Sequence, residues 1–199
     1  MKNREVVVMH NYIVLDLEAT CDKDRRIENE IIEIGAVKVN KRGEIVDTFN
    51  MFVKPILNPQ LTDFCKELTH ISQEDVDNAP YFNEVIMDFI TWLGSDYYLC
   101  SWGFYDKKQF EKDCLLHKVN RNWIKNHISL KHQYSQIKQM KKFLGLGTAL
   151  KKEKIEFEGT PHRGIDDAKN IAKIFIKYLD KWERSEEHTS ELQSHLNLV

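Results

Sequence analysis

Tyr12-Ile-Val-Leu-Asp-Leu-Glu18 is the stretch on which the fold turns. Up to Leu17 it is apolar and rich in β-formers except at Asp16, the pattern of a buried strand. Side chains alternate across a strand, so Asp16 and Glu18 point to the same face. Ile31 to Val39 reads as a second strand. Ile32, Ile34 and Ala36 share one of its faces, which ends at Lys38, while Glu33, Gly35, Val37 and Val39 share the other. Both faces are partly apolar, so cover on both sides is expected. Residues 41–44 form a turn, Ile45 to Val53 is the hairpin partner, and Pro55 ends the meander.

Residues 58–80 read as short helices, with a capping box at Ser72-Gln73-Glu74-Asp75. Phe82 to Leu93 is an amphipathic helix with Val85, Ile86, Phe89, Ile90 and Leu93 on one stripe, ended by Gly94. Tyr97 to Trp102 is another apolar strand. Asp106 to Leu116 returns to helical spacing with Phe110, Cys114 and Leu116 inward, and His127 to Leu130 is a further short strand. Helices are predicted over Gln133 to Leu144, Thr148 to Glu153 and Ile165 to Trp182, with residues 159–164 as a loop. The last helix would turn Ala168, Ile171, Ala172, Ile174, Phe175 and Leu179 inward. A meander followed by alternating helix and strand predicts an α/β fold, a mixed sheet with helices on both faces.

The chain has 199 residues, 42% hydrophobic and 30% charged, which suits one soluble domain. Apolar runs are short and broken by charge, so no membrane span is available. The N-terminal stretch lacks the long apolar segment of a signal peptide, and a cytoplasmic setting is the expectation. The four cysteines (Cys21, Cys65, Cys100, Cys114) are widely spaced with no C-x-x-C, which reads as reduced thiols rather than a zinc knuckle. Residues 107–154 hold 13 Lys or Arg against three acids (Glu111, Asp113, Glu153). Such a stretch could guide a phosphate backbone. Solvated helix faces would give the same count.

Residues 184–194 read Arg-Ser-Glu-Glu-His-Thr-Ser-Glu-Leu-Gln-Ser, which resembles the in-frame translation of a common short-read sequencing adapter. The expectation is therefore one domain over residues 1–183 and a non-native tail over 184–199. A genuine polar tail is the alternative. Without the tail the formal charge moves from −2 to about neutral. Inside residues 1–183 there is no internal repeat, linker or low-complexity stretch.

Three elements carry candidate chemistry. Asp16 and Glu18 at the end of an apolar strand repel each other unless a cation sits between them. Oxygen-only ligands suit Mg²⁺ or Mn²⁺. Taken alone, D-x-E fits two solvated acids equally well. Asp106 opens a helix directly after a strand, a position where an aspartate also serves as a cap. His162 precedes Asp167 by five residues, in a loop that leads into an apolar-faced helix. Asp167 can turn inward while Asp166 caps the helix. A loop histidine over a metal site could take a proton from attacking water, and a surface histidine beside capping acids has the same spacing.

In this order, D-x-E on the first strand, Asp after a later strand and H-x4-D at the last helix, the sequence resembles the DEDDh (DnaQ-like) 3′→5′ exonucleases. The stretches Leu15–Cys21, Asn29–Ala36, Leu61–Ile71, Val76–Pro80 and Pro161–Ala172 are similar to the Eri-type exoribonuclease branch, which includes the histone-mRNA 3′-exonuclease and bacterial KapD-like proteins. The resemblance runs over roughly residues 10–180. It implies a five-stranded RNase H-like sheet and two Mg²⁺ or Mn²⁺ ions held by Asp16, Glu18, Asp106 and Asp167, with His162 as general base. Asp16 would bridge both ions, Glu18 and Asp167 would complete the tighter site, and Asp106 would act largely through metal-bound water. The implied partner is the 3′ end of single-stranded RNA or DNA, and the implied products are nucleoside 5′-monophosphates. Tyr105, where the eukaryotic branch often has Trp, would stack on the terminal nucleotide. Phe64 and Leu68 match the family's pocket segment, and ordinary core packing would explain them equally well. No SAP-type module precedes the matched region, so recognition of a particular stem-loop is not expected. Two other functions fit the resemblance: a non-catalytic KapD-like regulatory or scaffold protein, and a DNA proofreading or repair exonuclease.

Overall fold

Strand β1 (Asn11–Ala19) is the central strand of the sheet. In the computed structural model, which describes residues 10–184, it lies between β2 (Ile31–Val39) on one side and β4 (Tyr97–Ser101) on the other. Strand β3 (Ile45–Phe52) and the short β5 (His127–Ser129) complete the order β3-β2-β1-β4-β5. The β1–β2 and β2–β3 pairs are antiparallel, and β1–β4 and β4–β5 are parallel. This is the five-stranded mixed sheet expected from the sequence. The meander needs only tight turns, whereas the parallel pairs need helical crossovers.

Those crossovers cover both faces. Ile13, Leu15 and Leu17 of β1 pack with Phe82, Val85, Ile86, Phe89 and Leu93 of α3 (Phe82–Leu93) and with Phe110 and Cys114 of α4 (Tyr105–Leu116). The opposite residues, Tyr12 and Val14, pack with α5 (Leu130–Ile137), α6 (Leu146–Glu153) and α7 (Gly164–Lys177). Asp16 and Glu18 continue this second row, so they reach the sheet's end on the α7 side. Two short helices, α1 (Asp63–Thr69) and α2 (Gln73–Asp77), fill the connection after β3, and Ser72 forms the expected capping box with Asp75.

Two expected helices differ. The segment expected over 133–144 starts at Leu130 and stops at Ile137. Gln139 takes a left-handed φ of 51°, and the Met140 N–H turns back to the Ser135 carbonyl at 2.8 Å. The last helix ends at Lys177 rather than Trp182, and a 3₁₀ turn follows (Leu179–Lys181). Trp182 folds back so that its indole N–H donates to the Phe175 carbonyl at 2.8 Å, satisfying a group that helix continuation would have claimed. Leu116, expected inward, is only half-buried.

All four cysteines are free thiols. Among the described residues no helix is long and apolar enough to cross a membrane. The adapter-like tail, Arg184 apart, lies outside the described residues, as do residues 1–9.

Candidate active site

The C-terminal end of β1 opens into a cleft of about 320 Å³ lined by Asp16, Glu18, Asp106, His162 and Asp167 together with Leu17, Trp102, Tyr105 and Leu146. Residues as much as 151 positions apart are brought together by three devices.

The first is a close approach. Asp16 pairs with Gly35 across β1–β2, and α7 begins directly against that glycine. A Cβ on Gly35 would lie 2.1 Å from the backbone of Gly164 and Ile165. Only glycine lets the N-terminus of α7 reach the sheet here. The second is a buried ion pair. Glu33, fully buried in β2, accepts the Gly164 N–H at 3.0 Å and the Arg163 guanidinium at 3.2 and 3.3 Å. A carboxylate at this helix start is favoured by the dipole and supplies the acceptor that the N-cap, Arg163, lacks. The third lies in the His162 loop. Asp166 accepts the Thr160 N–H at 2.9 Å, and Asp167 accepts the His162 N–H at 2.7 Å. His162 is exposed and holds a left-handed φ of 61°.

Asp106 is not a helix cap. Helix α4 starts at Tyr105 with Phe104 at the N-cap, and the Asp106 carboxylate accepts the Leu17 N–H at 3.2 Å. It therefore leans onto β1 beside Asp16. Ligand atoms of Glu18, His162 and Asp167 all lie within 4.8 Å of one another.

The electrostatics are one-sided. Burial raises the Asp16 carboxyl well above the usual range, and the nearby charges of Asp106, Glu18 and Asp167 push it further. Glu18 is pushed up to about 9, first by burial and then by Asp167 and Glu33. Asp106 is raised to about 6 by burial, against hydrogen bonds from Ser101 and backbone N–H groups. Asp167 is raised by burial, opposed by the His162 N–H. Among the described residues no Lys or Arg lines the cleft, and the guanidinium of Arg163, next in sequence to His162, is committed to Glu33. Four acids that destabilise one another without a counter-charge are the donor set of a hard divalent cation.

Tyr105 lines the cleft, half exposed, and its hydroxyl accepts from the Asn29 side-chain amide at 3.3 Å. Phe64 and Leu68 sit on α1, which is tied to the end of β1 by Thr62 Oγ1 donating to the Cys21 carbonyl at 2.6 Å. Neither residue lines the cleft, and Phe64 is exposed rather than core. An adjoining groove of about 610 Å³ shares Leu146, His162 and Asp167 with the cleft and is otherwise mainly apolar. Sequence reasoning missed Glu33 and Arg163 as site supports. The available signal was an acid in the middle of a strand apolar on both faces.

A mixed five-stranded sheet with two acids ending its central strand, a third after β4 and a histidine and fourth acid at the last helix is the arrangement of the DEDDh, RNase H-like exonucleases. The chain belongs to the RNase_T exonuclease family, whose profile matches residues 13–175. It is 35% identical over 184 residues to the 3′-5′ exoribonuclease 1 of Rattus norvegicus, a match covering 85% of this chain and 53% of the relative. It is 38% identical over 176 residues to the ERI1 exoribonuclease 3 of Homo sapiens, covering 83% and 52%. The chain thus spans about half the length of these curated relatives. The solved nuclease domain of 3′hExo, a DEDDh family member bound to rAMP, superposes with a TM-score of 0.83 at 31% identity, covering 91% of this chain and 98% of that one. The family uses divalent metal ions.

Proposed function

We propose that this chain is a 3′→5′ exonuclease of single-stranded nucleic acid, favouring RNA, that uses two Mg²⁺ or Mn²⁺ ions and releases nucleoside 5′-monophosphates. One observation carries the reading: four uncompensated carboxylates and an exposed imidazole share one cleft at the end of β1. The similarity to exoribonucleases and to a nuclease domain holding rAMP supports the RNA preference and the product class. In this reading residues 1–183 form one catalytic domain, working in the reducing cytoplasm where its thiols stay free.

Asp16, Glu18, Asp106 and Asp167 are the metal-holding residues. Divalent ions held by these four carboxylates would supply the Lewis-acid charge that activates water and stabilises the developing negative charge on the scissile phosphate and the leaving 3′-oxygen. The chain's own residues do the rest. The left-handed backbone at His162, fixed by the Asp167 carboxylate, presents the imidazole at the cleft mouth, where a ring nitrogen takes the water's proton. Tyr105 offers a ring face to the terminal base, while Phe64 and Leu68 on α1 stand outside the cleft. The hydrogen bond from Leu17 and the Arg163–Glu33 pair hold Asp106 and the His162 loop in register.

Incubation of 5′-labelled single-stranded RNA with the protein and Mn²⁺ should give a ladder shortening from the 3′ end. EDTA should stop it, and Asp16→Ala should lower turnover at least a thousand-fold, about the scale of a metal ligand's loss in concerted sites. Matched RNA and DNA strands side by side would set the sugar preference. Intact RNA and DNA strands under all these conditions would rule the reading out.

A further inference from the structure

Beside the cleft, two phenylalanines stand in solvent around a histidine. Phe104 is 43% exposed and Phe143 58% exposed. The His132 ring lies between them, its centroid 4.7 Å from that of Phe104 and 4.4 Å from that of Phe143. Ser129 Oγ lies 2.6 Å from His132 Nδ1 and fixes the imidazole. Scattered exposed apolar residues are ordinary, but a contiguous row of ring faces is a surface built for contact.

The row starts at the mouth of the cleft. Phe104 immediately precedes Tyr105, which lines it, and Trp102, also lining it, donates its indole N–H to the carbonyl of Leu144 at 3.0 Å, next to Phe143. Its surroundings are positive. From Cys114 to Lys152 the sequence has no acidic residue. Lys131 packs by Gly103, where its Cδ would be 3.9 Å from an added Cβ, and Lys141 and Lys142 are exposed immediately before Phe143. Burial, and then the charge of Lys131, lower the pKa of His132 and favour a neutral imidazole suited to stacking.

We infer that Phe104, His132 and Phe143, flanked by these lysines, form a track for the single-stranded nucleic acid just upstream of the 3′-terminal nucleotide. The inference rests on the exonuclease reading of the cleft, which it deepens by naming what holds the rest of the strand. Unpaired bases expose both ring faces and can stack along such a row while lysines meet the phosphates. Bases inside a duplex have their faces covered, so the track selects single strands.

Two substrates separate the track from the terminal site. The p-nitrophenyl ester of thymidine 5′-monophosphate reaches only the terminal site, whereas a single-stranded RNA of about twelve nucleotides reaches both. Phe143→Ala should lower kcat/KM on the RNA about ten-fold or more, through KM, and leave the ester's turnover and Tm unchanged. Phe143→Trp should restore the RNA value. Equal losses on both substrates, or no loss on RNA, would overturn the track. If the wild-type protein cleaves neither, the exonuclease reading fails instead. Fluorescence anisotropy of the labelled RNA in EDTA then decides the track alone: Phe143→Ala must weaken binding about ten-fold, and unchanged binding sinks it.

Discussion

His162 combines two demands in one residue. Its backbone sits at a φ of 61°, which costs an ordinary residue about 1–2 kcal/mol and is best tolerated by Asn, Asp, His and Gly. In the proposed mechanism its ring also accepts a proton. His162→Asn keeps the first property and removes the second, so it isolates chemistry from backbone strain. Its kcat should fall about 10²- to 10⁴-fold, the usual worth of a positioned general base, while Tm stays within about 2 °C. Calorimetric Mn²⁺ titration should still show binding to this variant, in contrast to Asp16→Ala. If His162→Asn retains wild-type kcat, another group takes the proton. Glu33 illustrates the opposite division of labour. It faces away from solvent entirely, holds Arg163 and the start of α7, and sets where His162 and Asp167 stand without reaching the cleft itself.

At the scale of elements, the seat of α7 on β2 decides whether the site exists. Gly35→Ala places a methyl group 2.1 Å from the α7 backbone, and neither partner is a flexible side chain. Such overpacking costs about 1–3 kcal/mol or more, and relief can come only by lifting α7 and with it Asp167. The expected outcome is a lower urea midpoint and a loss of activity larger than the unfolded fraction explains. Activity that tracks only the folded fraction would show that α7 does not set the site. The far end of the same helix is clamped differently. Buried Glu153 of α6 accepts from Tyr134 of α5 at 2.7 Å and Tyr178 at 2.8 Å, and pairs with Lys138 at 3.1 Å and Lys177 at 2.8 Å. Burial alone would raise its pKa, but these four partners outweigh it and hold the carboxyl at about 2. A depressed folded pKa gives stability that is present above the ordinary value of 4.5 and is lost as pH falls toward 2. Glu153→Gln should therefore cost roughly 2 kcal/mol at neutral pH, below the figure for a fully buried pair because both lysines reach solvent, and flatten the acid limb of the melting profile. An unchanged acid limb would place that titration elsewhere. Strands β1 and β2 and helix α3 were legible to the residue or nearly so, because apolar periodicity, a flanking turn and Gly94 agree there. The ends of α5 and α7 were not. Gln139 turns left-handed without a glycine to announce it, and Trp182 ends its helix through a contact seven residues back. The five candidate site residues were each ambiguous alone and stood out only because their chain order resembles that of a known family, whereas the Glu33–Arg163 support spans 130 positions and appears only once the sheet is built.

For the whole molecule, the dominant fact is charge asymmetry: an acidic cleft with no cation of its own beside a segment without acids. This asymmetry couples stability to both pH and metal. Without metal, the folded protein keeps Asp106 protonated up to about 6 and Glu18 up to about 9, both first through burial, against ordinary values of 3.8 and 4.5. Between these limits the native state binds protons that the unfolded chain has released. Unfolding free energy must then fall as pH rises, the reverse of the Glu153 limb. The metal-free protein should be most stable near pH 5 and lose Tm steadily toward pH 8. Divalent ions replace those protons, so their effect must grow over the same interval. At a hundred times Kd, one ion stabilises by about 2.7 kcal/mol, or roughly 5–10 °C in a domain of this size. Scanning calorimetry at pH 5, 6.5 and 8, with EDTA and with saturating Mn²⁺, measures both slopes. A metal-free Tm that climbs with pH, or a Mn²⁺ increment that shrinks, would mean that the four acids are not jointly buried around a cation site and that their convergence in the cleft does not persist in solution.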